Sequence, residues 1–220
     1  MLARANGIDV FYERSGAGRP FLLLHGNGED HTIFDGLASV LAERYSVFAP
    51  DTRCHGRTTK TATISYGEMA DDVAAFITAL GLEKPIVLGF SDGGITGLLL
   101  AIRCPALPGA LIACGANTRP SQISLWFRLR SRLEYWATKD PLLRLMLTEP
   151  DIADAELATI AAPTLVLGGQ RDLISPAATR SIAAAIPASE VHILAGQTHS
   201  SYITHFELLL EAMQPFLDRV

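Results

Sequence analysis

A serine in the segment Gly89-Phe90-Ser91-Asp92-Gly93 is the residue best suited to do chemistry. An apolar run, Pro85–Leu88, precedes this segment, and a helix-like run, Ile95–Ile102, follows it. On a sharp strand-to-helix turn a serine hydroxyl is exposed, and glycines two residues to either side remove Cβ atoms that would clash. The pattern therefore predicts that Ser91 is a nucleophile. The alternative is an ordinary glycine-rich turn in which Ser91 caps the following helix.

Two later residues are suited to activate this serine. A serine hydroxyl is a weak nucleophile at neutral pH, so it needs a general base and a group that orients the base. The strand-like segment Thr164–Gly168 is followed by Asp172, and the strand-like segment Val191–Leu194 is followed by His199. Because both residues lie in loops just past strands, we predict that His199 is the base and Asp172 its orienting acid.

The other five histidines are weaker candidates for the base. We predict His192 inside a strand and His205 inside the last helix, so neither reaches the end of a strand. His25 and His55 are predicted to be structural. His31 is expected at the surface, with contact to a substrate as the alternative.

The elements that must position these residues alternate along the chain. Strands are predicted at Ile8–Glu13, Phe21–Leu24, Tyr45–Ala49, Pro85–Leu88, Gly109–Ala113, Thr164–Leu167 and Val191–Leu194. Helices are predicted at Ile33–Arg44, Met69–Leu80, after Ser91, and at about Tyr202–Leu217. This alternation predicts an α/β fold with a mostly parallel sheet, helices on both faces, and ligands at the carboxyl ends of the strands. The first strand is expected to be antiparallel at an edge.

Three motifs together resemble the α/β-hydrolase fold serine hydrolase family over nearly the whole chain. Phe21–Gly28 resembles its strand and HG-x oxyanion loop, and Ser91 lies in its nucleophile elbow. Asp51–Thr58 resembles its D-x-R-G-x-G-x-S turn, with Cys54 in place of the first glycine and Thr58 in place of the serine. These two departures affect the geometry of a structural turn and not the three catalytic candidates.

The resemblance also implies an oxyanion hole. Two backbone N–H groups must be aimed at the charge that develops on the substrate oxygen. The residue after the nucleophile, Asp92, supplies one, and the resemblance implies Asn27 as the other. Asn117 occupies the other position at which this family sometimes has its acid, and an amide cannot take that role.

The segment Asn117–Ala162 interrupts the alternation, and the resemblance implies that it contains a short cap insertion in a single domain, residues 1–220. Trp126, Phe127 and Trp136 lie in it and are candidates for the substrate pocket. In one interpretation it is a helical lid whose aromatic residues line an acyl pocket. In another it is an amphipathic helix packed on the body with arginines in water, and in a third Trp126 or Trp136 contacts a second copy. So short a cap predicts a preference for small or medium acyl groups.

Acidic residues cluster around the predicted nucleophile. Asp92 follows Ser91 directly, and Glu29 and Asp30 follow the oxyanion loop. In one interpretation the Asp92 carboxylate lies in the first turn of a helix, where the positive end of the helix dipole stabilises it. Asp30 is likewise predicted to cap the next helix. Alternatively, Asp92 and Glu29 line the pocket, where Asp92 would bind a cationic group on the substrate. The segment Ser91–Thr96 resembles valacyclovir-hydrolase-like hydrolases of amino-acid esters, which favours this alternative.

Composition excludes several classes of protein. The 220 residues include 49% hydrophobic residues and carry a net charge of −5, which argues against binding nucleic acid. The longest apolar stretch, near Gly94–Ile102, is too short to span a bilayer, and Met1–Arg14 lacks a signal-like apolar region. Cys54, Cys104 and Cys114 show no metal-ligand spacing, so reduced thiols in the cytoplasm and no metal are expected.

Together these observations predict a serine hydrolase that cleaves an ester-type acyl bond of a small molecule through an acyl-enzyme. We expect no cofactor, no nucleic-acid or membrane partner, and a monomer or homodimer. The alternatives are a hydrolase of amino-acid esters and a non-catalytic receptor for a small ligand on the same fold. The fold itself does not reveal the substrate.

Overall fold

One sheet of eight strands organises the computed structural model, which describes all residues from Met1 to Val220. The strands are β1 (Leu2–Ala5), β2 (Ile8–Ser15), β3 (Pro20–Leu24), β4 (Ser46–Pro50), β5 (Ile86–Phe90), β6 (Ala110–Cys114), β7 (Thr164–Gly169) and β8 (Ser189–Leu194). Their order across the sheet is β1-β2-β4-β3-β5-β6-β7-β8. Strands β3 to β8 pair in parallel, whereas β2 is antiparallel to both β1 and β4. The predicted mostly parallel sheet is confirmed.

Nine helices surround or extend this sheet. They are α1 (Asp35–Leu41), α2 (Tyr66–Ala79), α3 (Asp92–Arg103), α4 (Leu125–Thr138), α5 (Pro141–Thr148), α6 (Asp154–Leu157), α7 (Pro176–Ala185), α8 (Ser201–Thr204) and α9 (Phe206–Leu217). Short 3₁₀ turns lie at His31–Phe34 and Pro120–Gln122. None of the helices combines the length and apolar composition that crossing a membrane would require.

The core has two layers because successive strand residues face opposite sides of the sheet. In β3, Leu22 and Leu24 join a cluster of 30 buried residues on the side of α2, α3 and α7. Phe21 and Leu23 join a cluster of 22 buried residues on the side of α1, α8 and α9. The parallel strands β3 to β7 are therefore buried on both faces, whereas the edge strand β8 is only partly buried.

The sequence misplaced some element boundaries. The strand predicted at 8–13 is antiparallel but not an edge, because β1 pairs outside it. The predicted helix 33–44 is a 3₁₀ turn followed by the shorter α1, and the predicted last helix is divided into α8 and α9 at His205. The side chain of Asp30 caps the 3₁₀ turn by accepting the Thr32 N–H, as predicted.

The segment 117–162 contains three helices. α4 and α5 pack on each other over the carboxyl edge of the sheet, and the one-turn helix α6 contacts α3 and α7. Strand-like contacts of Ile123 with Ile174 and of Ser124 with Leu173 join the start of the segment to the loop after β7. This connection places α4 beside the loop that carries Asp172.

Candidate active site

Ser91 lies in a strained turn between β5 and α3. Its backbone has a φ of 53° and a ψ of −114°, and its side chain makes no capping hydrogen bond, which disfavours the alternative of a helix cap. A Cβ added at Gly89 would lie 2.1 Å from the Gly93 carbonyl oxygen, and one added at Gly93 would lie 2.0 Å from the Leu24 carbonyl oxygen. Only glycine fits both positions, so the pentapeptide pattern has a steric cause.

Ser91, His199 and Asp172 form a continuous chain of hydrogen bonds. The Ser91 Oγ lies 3.0 Å from the His199 Nε2, and the His199 Nδ1 lies 2.5 Å from the Asp172 Oδ1. With Nδ1–H donating to the carboxylate, Nε2 is free to accept the serine proton. The structure thus brings the three predicted residues together from loops 108 and 27 residues apart.

Asp172 is held in its charged form. Its side chain is fully buried, and its oxygens accept the backbone N–H groups of Ile174 and Gly169 and the hydroxyl of Tyr202. Burial by itself raises the pKa of this carboxyl. The hydrogen bond and charge of His199, together with the two backbone donors, outweigh burial and lower the pKa below its usual value.

The imidazole of His199 is fixed by packing. Its ring lies 4.9 Å from the Phe90 ring, and a Cβ at Gly115 would come within 2.9 Å of its Cε1 and of the Tyr202 hydroxyl. Gly115 and Tyr202 were not predicted as site residues. Their signal in the sequence is weak, since a glycine after β6 and a tyrosine in the last predicted helix are both ordinary.

The loop after β3 lies directly beside the nucleophile because β3 and β5 are neighbours in the sheet. A Cβ at Gly26 would approach the Ser91 Cβ to 3.2 Å. The backbone N–H of Asn27 has no protein acceptor, and Asp92 begins α3, so its N–H has no intrahelical partner. These are the two groups predicted for the oxyanion hole.

His25 supports this loop from inside. It is fully buried, with its Nδ1 2.8 Å from the Gly26 carbonyl and its Nε2 accepting the Thr52 N–H at 2.9 Å. Both bonds require the neutral ring with the proton on Nδ1. Burial and the nearby His55 lower the pKa of His25 to about 4.

The Asp92 side chain anchors a buried polar network. Its Oδ1 accepts the Tyr66 hydroxyl at 2.7 Å, and its Oδ2 accepts the Asn27 Nδ2 at 2.8 Å. The same Asn27 amide donates to the Leu142 carbonyl of α5 at 3.2 Å. Burial raises the pKa of the Asp92 carboxyl and outweighs the hydrogen bonds from Tyr66 and Asn27, which lower it. The network joins the nucleophile turn, the oxyanion loop and the segment above them.

A second carboxyl, that of Glu29, lines the same cleft. Its Oε2 accepts the Gly26 N–H at 2.9 Å, which closes the oxyanion loop on itself. Burial, to which the nearby Asp92 adds, raises its pKa. The cleft therefore has two acidic side chains close to the nucleophile, and each of them is hydrogen-bonded only to neutral donors.

The cleft above Ser91 has a volume of about 300 Å³. Its polar floor contains the groups just described. Its walls are apolar, with Ile123, Phe127, Leu143 and Met146 contributed by the segment 117–162 and Leu173 and Ile174 by the loop after β7. This size and lining suit a small ligand with an apolar part.

Two of the predicted pocket residues are not in this cleft. Phe127 lines it, but Trp126 and Trp136 are 82% and 77% exposed and lie on the outer face of α4. The prediction that they line the pocket is wrong. Helix α4 is rotated so that Phe127 faces the cleft, whereas Trp126, about 100° further around the helix, faces solvent.

The remaining candidates have structural contacts. Asn117 lines the cleft and donates its amide to the Arg119 carbonyl. In the turn after β4, Cys54 takes the glycine-like φ of 66°, and Thr58 donates to the Asp51 carbonyl, so the turn forms despite both replacements. His31 binds the Asp51 carboxylate at 2.6 Å.

The three histidines outside these contacts lie away from the cleft. His55 is buried with its Nδ1 beside the Arg53 carbonyl, and His192 lies within β8. His205 is exposed at the junction of α8 and α9, not inside a helix as predicted.

One group of residues has the composition of a metal site. Ligand atoms of Asp30, His31 and Asp51 lie within 4.8 Å of one another. The Asp51 oxygens already accept from His31 and from the Arg57 N–H, and Asp30 accepts from Thr32. These hydrogen bonds explain why the three side chains lie together: they stabilise the loop after β3. The expectation of no metal and no cofactor stays a prediction.

Known proteins are similar to this chain in sequence and in fold. An uncharacterized protein of Mycobacterium bovis is 32% identical over 148 residues, which make up 67% of this chain and 43% of that protein. A pimeloyl-(acyl-carrier protein) methyl ester esterase of Aeromonas hydrophila is 23% identical, over 96% of this chain and all of its own length. The chain thus spans less than half the length of the first of these relatives.

Fold comparison gives the same result over the whole chain. A thermophilic esterase from Thermogutta terrifontis superposes with a TM-score of 0.81 at 22% identity, covering 100% of this chain and 98% of that one. A family model described as the alpha/beta hydrolase fold matches residues 19–144, more than half of the sequence. On this match, and on the sheet and nucleophile turn described above, the chain belongs to the alpha/beta hydrolase family.

Proposed function

We propose that this protein is a serine hydrolase that cleaves an ester-type acyl bond of a small molecule. The observation that carries the proposal is the hydrogen-bonded chain from the Asp172 Oδ1 through His199 to the Ser91 Oγ, with distances of 2.5 and 3.0 Å. That chain ends beneath a cleft of about 300 Å³. Similar proteins named as esterases support the same reaction class.

The reaction follows from the positions of these atoms. The Ser91 Oγ attacks the substrate carbonyl carbon while the His199 Nε2 takes its proton, and Asp172 stabilises the imidazolium. The backbone N–H groups of Asn27 and Asp92 stabilise the oxyanion. The intermediate then expels the alcohol, which takes the proton from His199, and leaves an acyl-enzyme. Water attacks this ester by the same route and releases the acid and the free serine.

The cleft favours small or medium acyl groups. Ligand pockets commonly have volumes of about 300–1,000 Å³, so this one lies at the lower end. Its apolar walls, with Phe127 and Met146, suit a short hydrocarbon chain. Rates that rise steadily from acetyl to palmitoyl esters would contradict this size limit.

The direct test is turnover of a panel of p-nitrophenyl esters, lactones, thioesters and aminoacyl esters. Each substrate is run with the parent and with Ser91→Ala, which removes the nucleophile and little volume. We expect steady turnover by the parent and a loss of several orders of magnitude in kcat in the variant, with an unchanged thermal midpoint. Binding without turnover across the whole panel would instead favour a non-catalytic receptor for a small ligand.

A second candidate function is the hydrolysis of amino-acid esters. Two acidic side chains, Asp92 and Glu29, line the cleft beside Ser91, and no arginine or lysine lines it with them. A carboxylate oxygen has acceptor capacity left after the single hydrogen bond that each Asp92 oxygen accepts. A substrate ammonium group would compensate both acidic groups, whose pKa values burial raises.

This candidate is tested with an aminoacyl ester and its des-amino analogue in the parent, in Asp92→Asn and in Glu29→Gln. If the amino group is recognised, the parent prefers the aminoacyl ester, and at least one variant loses that preference while keeping its rate on the analogue. Equal losses on both substrates would indicate damage to the nucleophile turn. The absence of any preference in the parent would contradict the candidate outright.

A further inference from the structure

Helix α4 carries a row of large apolar side chains on its outer face. Exposed fractions are 59% for Leu125, 82% for Trp126, 41% for Leu129, 73% for Leu133 and 77% for Trp136. We call these five residues the α4 ridge. At about 100° of rotation per residue they fall within an arc of about 100°, directly opposite the buried Ser131. The ridge therefore points straight away from the body of the protein.

So much exposed apolar surface on one helix indicates an interaction site. Single exposed apolar residues are ordinary, but contiguous apolar patches on soluble proteins mark surfaces that meet a partner. A tryptophan side chain can bury about 150–250 Å², so the two tryptophans alone offer on the order of 400 Å². A specific interface needs about 800 Å² from each partner, of which the ridge supplies a large part.

Four of the five ridge residues are spaced symmetrically about Ser131, whereas the counterpart of Leu125 is Ala137. Trp126 and Trp136 lie five residues to either side of it, and Leu129 and Leu133 lie two residues to either side. The separations of three, four and three residues also match the a and d positions of a coiled-coil seam. A surface with this symmetry is complementary to itself when a second helix runs antiparallel, as an interface with two-fold symmetry requires.

We propose that the α4 ridge is the interface of a homodimer, in which α4 packs antiparallel on α4 of a second copy. The two-fold axis passes between the two helices, at the height of Ser131 along α4. Trp126 then stacks on Trp136 of the second copy, and Leu129 packs on Leu133 of the second copy. The partner is this chain itself, because the exposed residues Trp126 and Trp136, and likewise Leu129 and Leu133, lie at equal distances on either side of position 131 and so pair with each other across a two-fold axis.

Charges on either side of the ridge set the salt dependence of this dimer. Two-fold symmetry places each flank beside the same flank of the second copy. On one flank Arg130 meets Glu134 of the second copy, and on the other Arg128 lies beside Arg132 of the second copy with no acid of α4 between them. The net effect is repulsion, which salt screens. Dimerisation should therefore strengthen as the salt concentration rises.

Phe127, which lines the cleft, lies on a different face of α4 from the ridge. Pairing through the ridge therefore leaves the cleft wall of each copy in place. The interface and the proposed chemistry can be tested separately, since disrupting the ridge changes the assembly without removing a residue that touches substrate.

The first experiment measures the mass in solution by analytical ultracentrifugation over a range of protein and salt concentrations. The expected species is twice the 23.6 kDa chain, and Leu133→Glu and Leu129→Glu should each convert it to a monomer. Matched controls are Leu2→Glu and Leu208→Glu, which lie outside α4 and have exposed fractions of 68% and 41%. Far-UV circular dichroism checks that every variant is folded.

The second experiment tests the antiparallel arrangement. Leu129→Cys and Leu133→Cys proteins are oxidised separately and as a mixture. At a rise of 1.5 Å per residue, positions 129 and 133 lie at the same height in an antiparallel pair, whereas two copies of either position are about 6 Å apart along the axis. The mixed disulfide should form fastest. Faster linkage of either variant to itself would overturn the arrangement.

Other outcomes overturn the proposal as a whole. One is a monomer at all concentrations, and another is a dimer that survives both glutamate substitutions. A third is a monomer that sediments with phosphatidylglycerol vesicles and is released by salt, which would make the ridge a lipid-binding helix instead. Weakening of the dimer by added salt would contradict the placement of the arginines.

Discussion

The two walls of the cleft are built in opposite ways. The wall formed by the sheet edge holds Ser91, His199 and Asp172 on loops that follow parallel strands, and each is fixed by hydrogen bonds or by ring packing. The wall formed by α4 and α5 contributes only apolar side chains to the cleft. The outer face of α4 is largely in solvent.

This difference indicates that the sheet wall carries out the reaction and the helical wall selects the substrate. Residues that must keep their distances to within a fraction of an ångström lie on the rigid wall, where the strands fix the backbone. Residues that only fill space around an acyl group lie on the helical wall. A substitution there changes the volume of the cleft but does not affect the proton transfer between Ser91 and His199. Substitutions in the sheet wall should therefore affect kcat, and those in the helical wall should affect selectivity.

The largest effect is expected for Asp172→Asn. The amide keeps the shape of the side chain but reverses the hydrogen bond to the His199 Nδ1, so the imidazole takes the wrong tautomer. In a serine protease the same change lowers kcat by about 10⁴. We expect a loss of that order for the best ester, with little change in KM. If Asp172→Asn retains a tenth of the parental kcat, the claim that residues of the sheet wall determine the rate of the reaction is wrong.

A smaller effect is expected for the pH dependence of folding through His25. Its pKa of about 4 in the folded protein is below the usual 6.5, so between these values the unfolded chain binds a proton that the folded protein does not. The contribution of the neutral ring is therefore complete above pH 6.5 and is lost as the pH falls towards 4. The loss amounts to roughly 3 kcal/mol in the free energy of unfolding.

The measurement is urea unfolding at several pH values between 4 and 7 for the parent and for His25→Gln. Glutamine does not titrate and retains an acceptor for the Thr52 N–H. The parent should lose more stability than the variant across this range. If the free energy of unfolding falls equally with pH in both proteins, the neutral form of His25 does not stabilise the folded protein.

The smallest effect is expected on the helical wall. Phe127→Ala enlarges the cleft and should change kcat/KM by about fivefold to tenfold, in a direction that favours longer acyl groups, which is the lower end of the roughly 1–3 kcal/mol that a methylene in a pocket is worth. Leu133→Ala lies on the same helix but outside the cleft, and it is the matched control. A change in selectivity in both variants, or in neither, would contradict the assignment of Phe127 to the cleft.

The sequence predicted the sheet wall better than the helical wall, for a physical reason. The positions of Ser91, Asp172 and His199 follow from where apolar strands end, and parallel strands bring their carboxyl ends to one edge. The cleft-facing role of Phe127 and the outward direction of Trp126 depend on how α4 is rotated against the body. Apolar residues occur on both faces of that helix, so its composition does not specify the rotation.

Some features of the sheet wall could not be predicted, because they depend on contacts between residues far apart in the sequence. The carboxylate of Asp92 is bound by Tyr66, which lies 26 residues away along the chain. Asp172 likewise accepts from Tyr202, in a helix predicted only as part of the outer layer. Long-range polar pairs of this kind depend on the packed structure, whereas strand ends and tight glycine turns are visible in a short stretch of sequence.

The measurement that most directly tests the central claim is covalent labelling by a fluorophosphonate, followed by intact-mass analysis and peptide mapping. The parent should gain one label, on Ser91. Ser91→Ala should gain none, and His199→Ala should react far more slowly because the serine then lacks its base. A label on any other residue, or a parent that stays unlabelled while folded, would contradict the account that Ser91 is the activated nucleophile of this cleft.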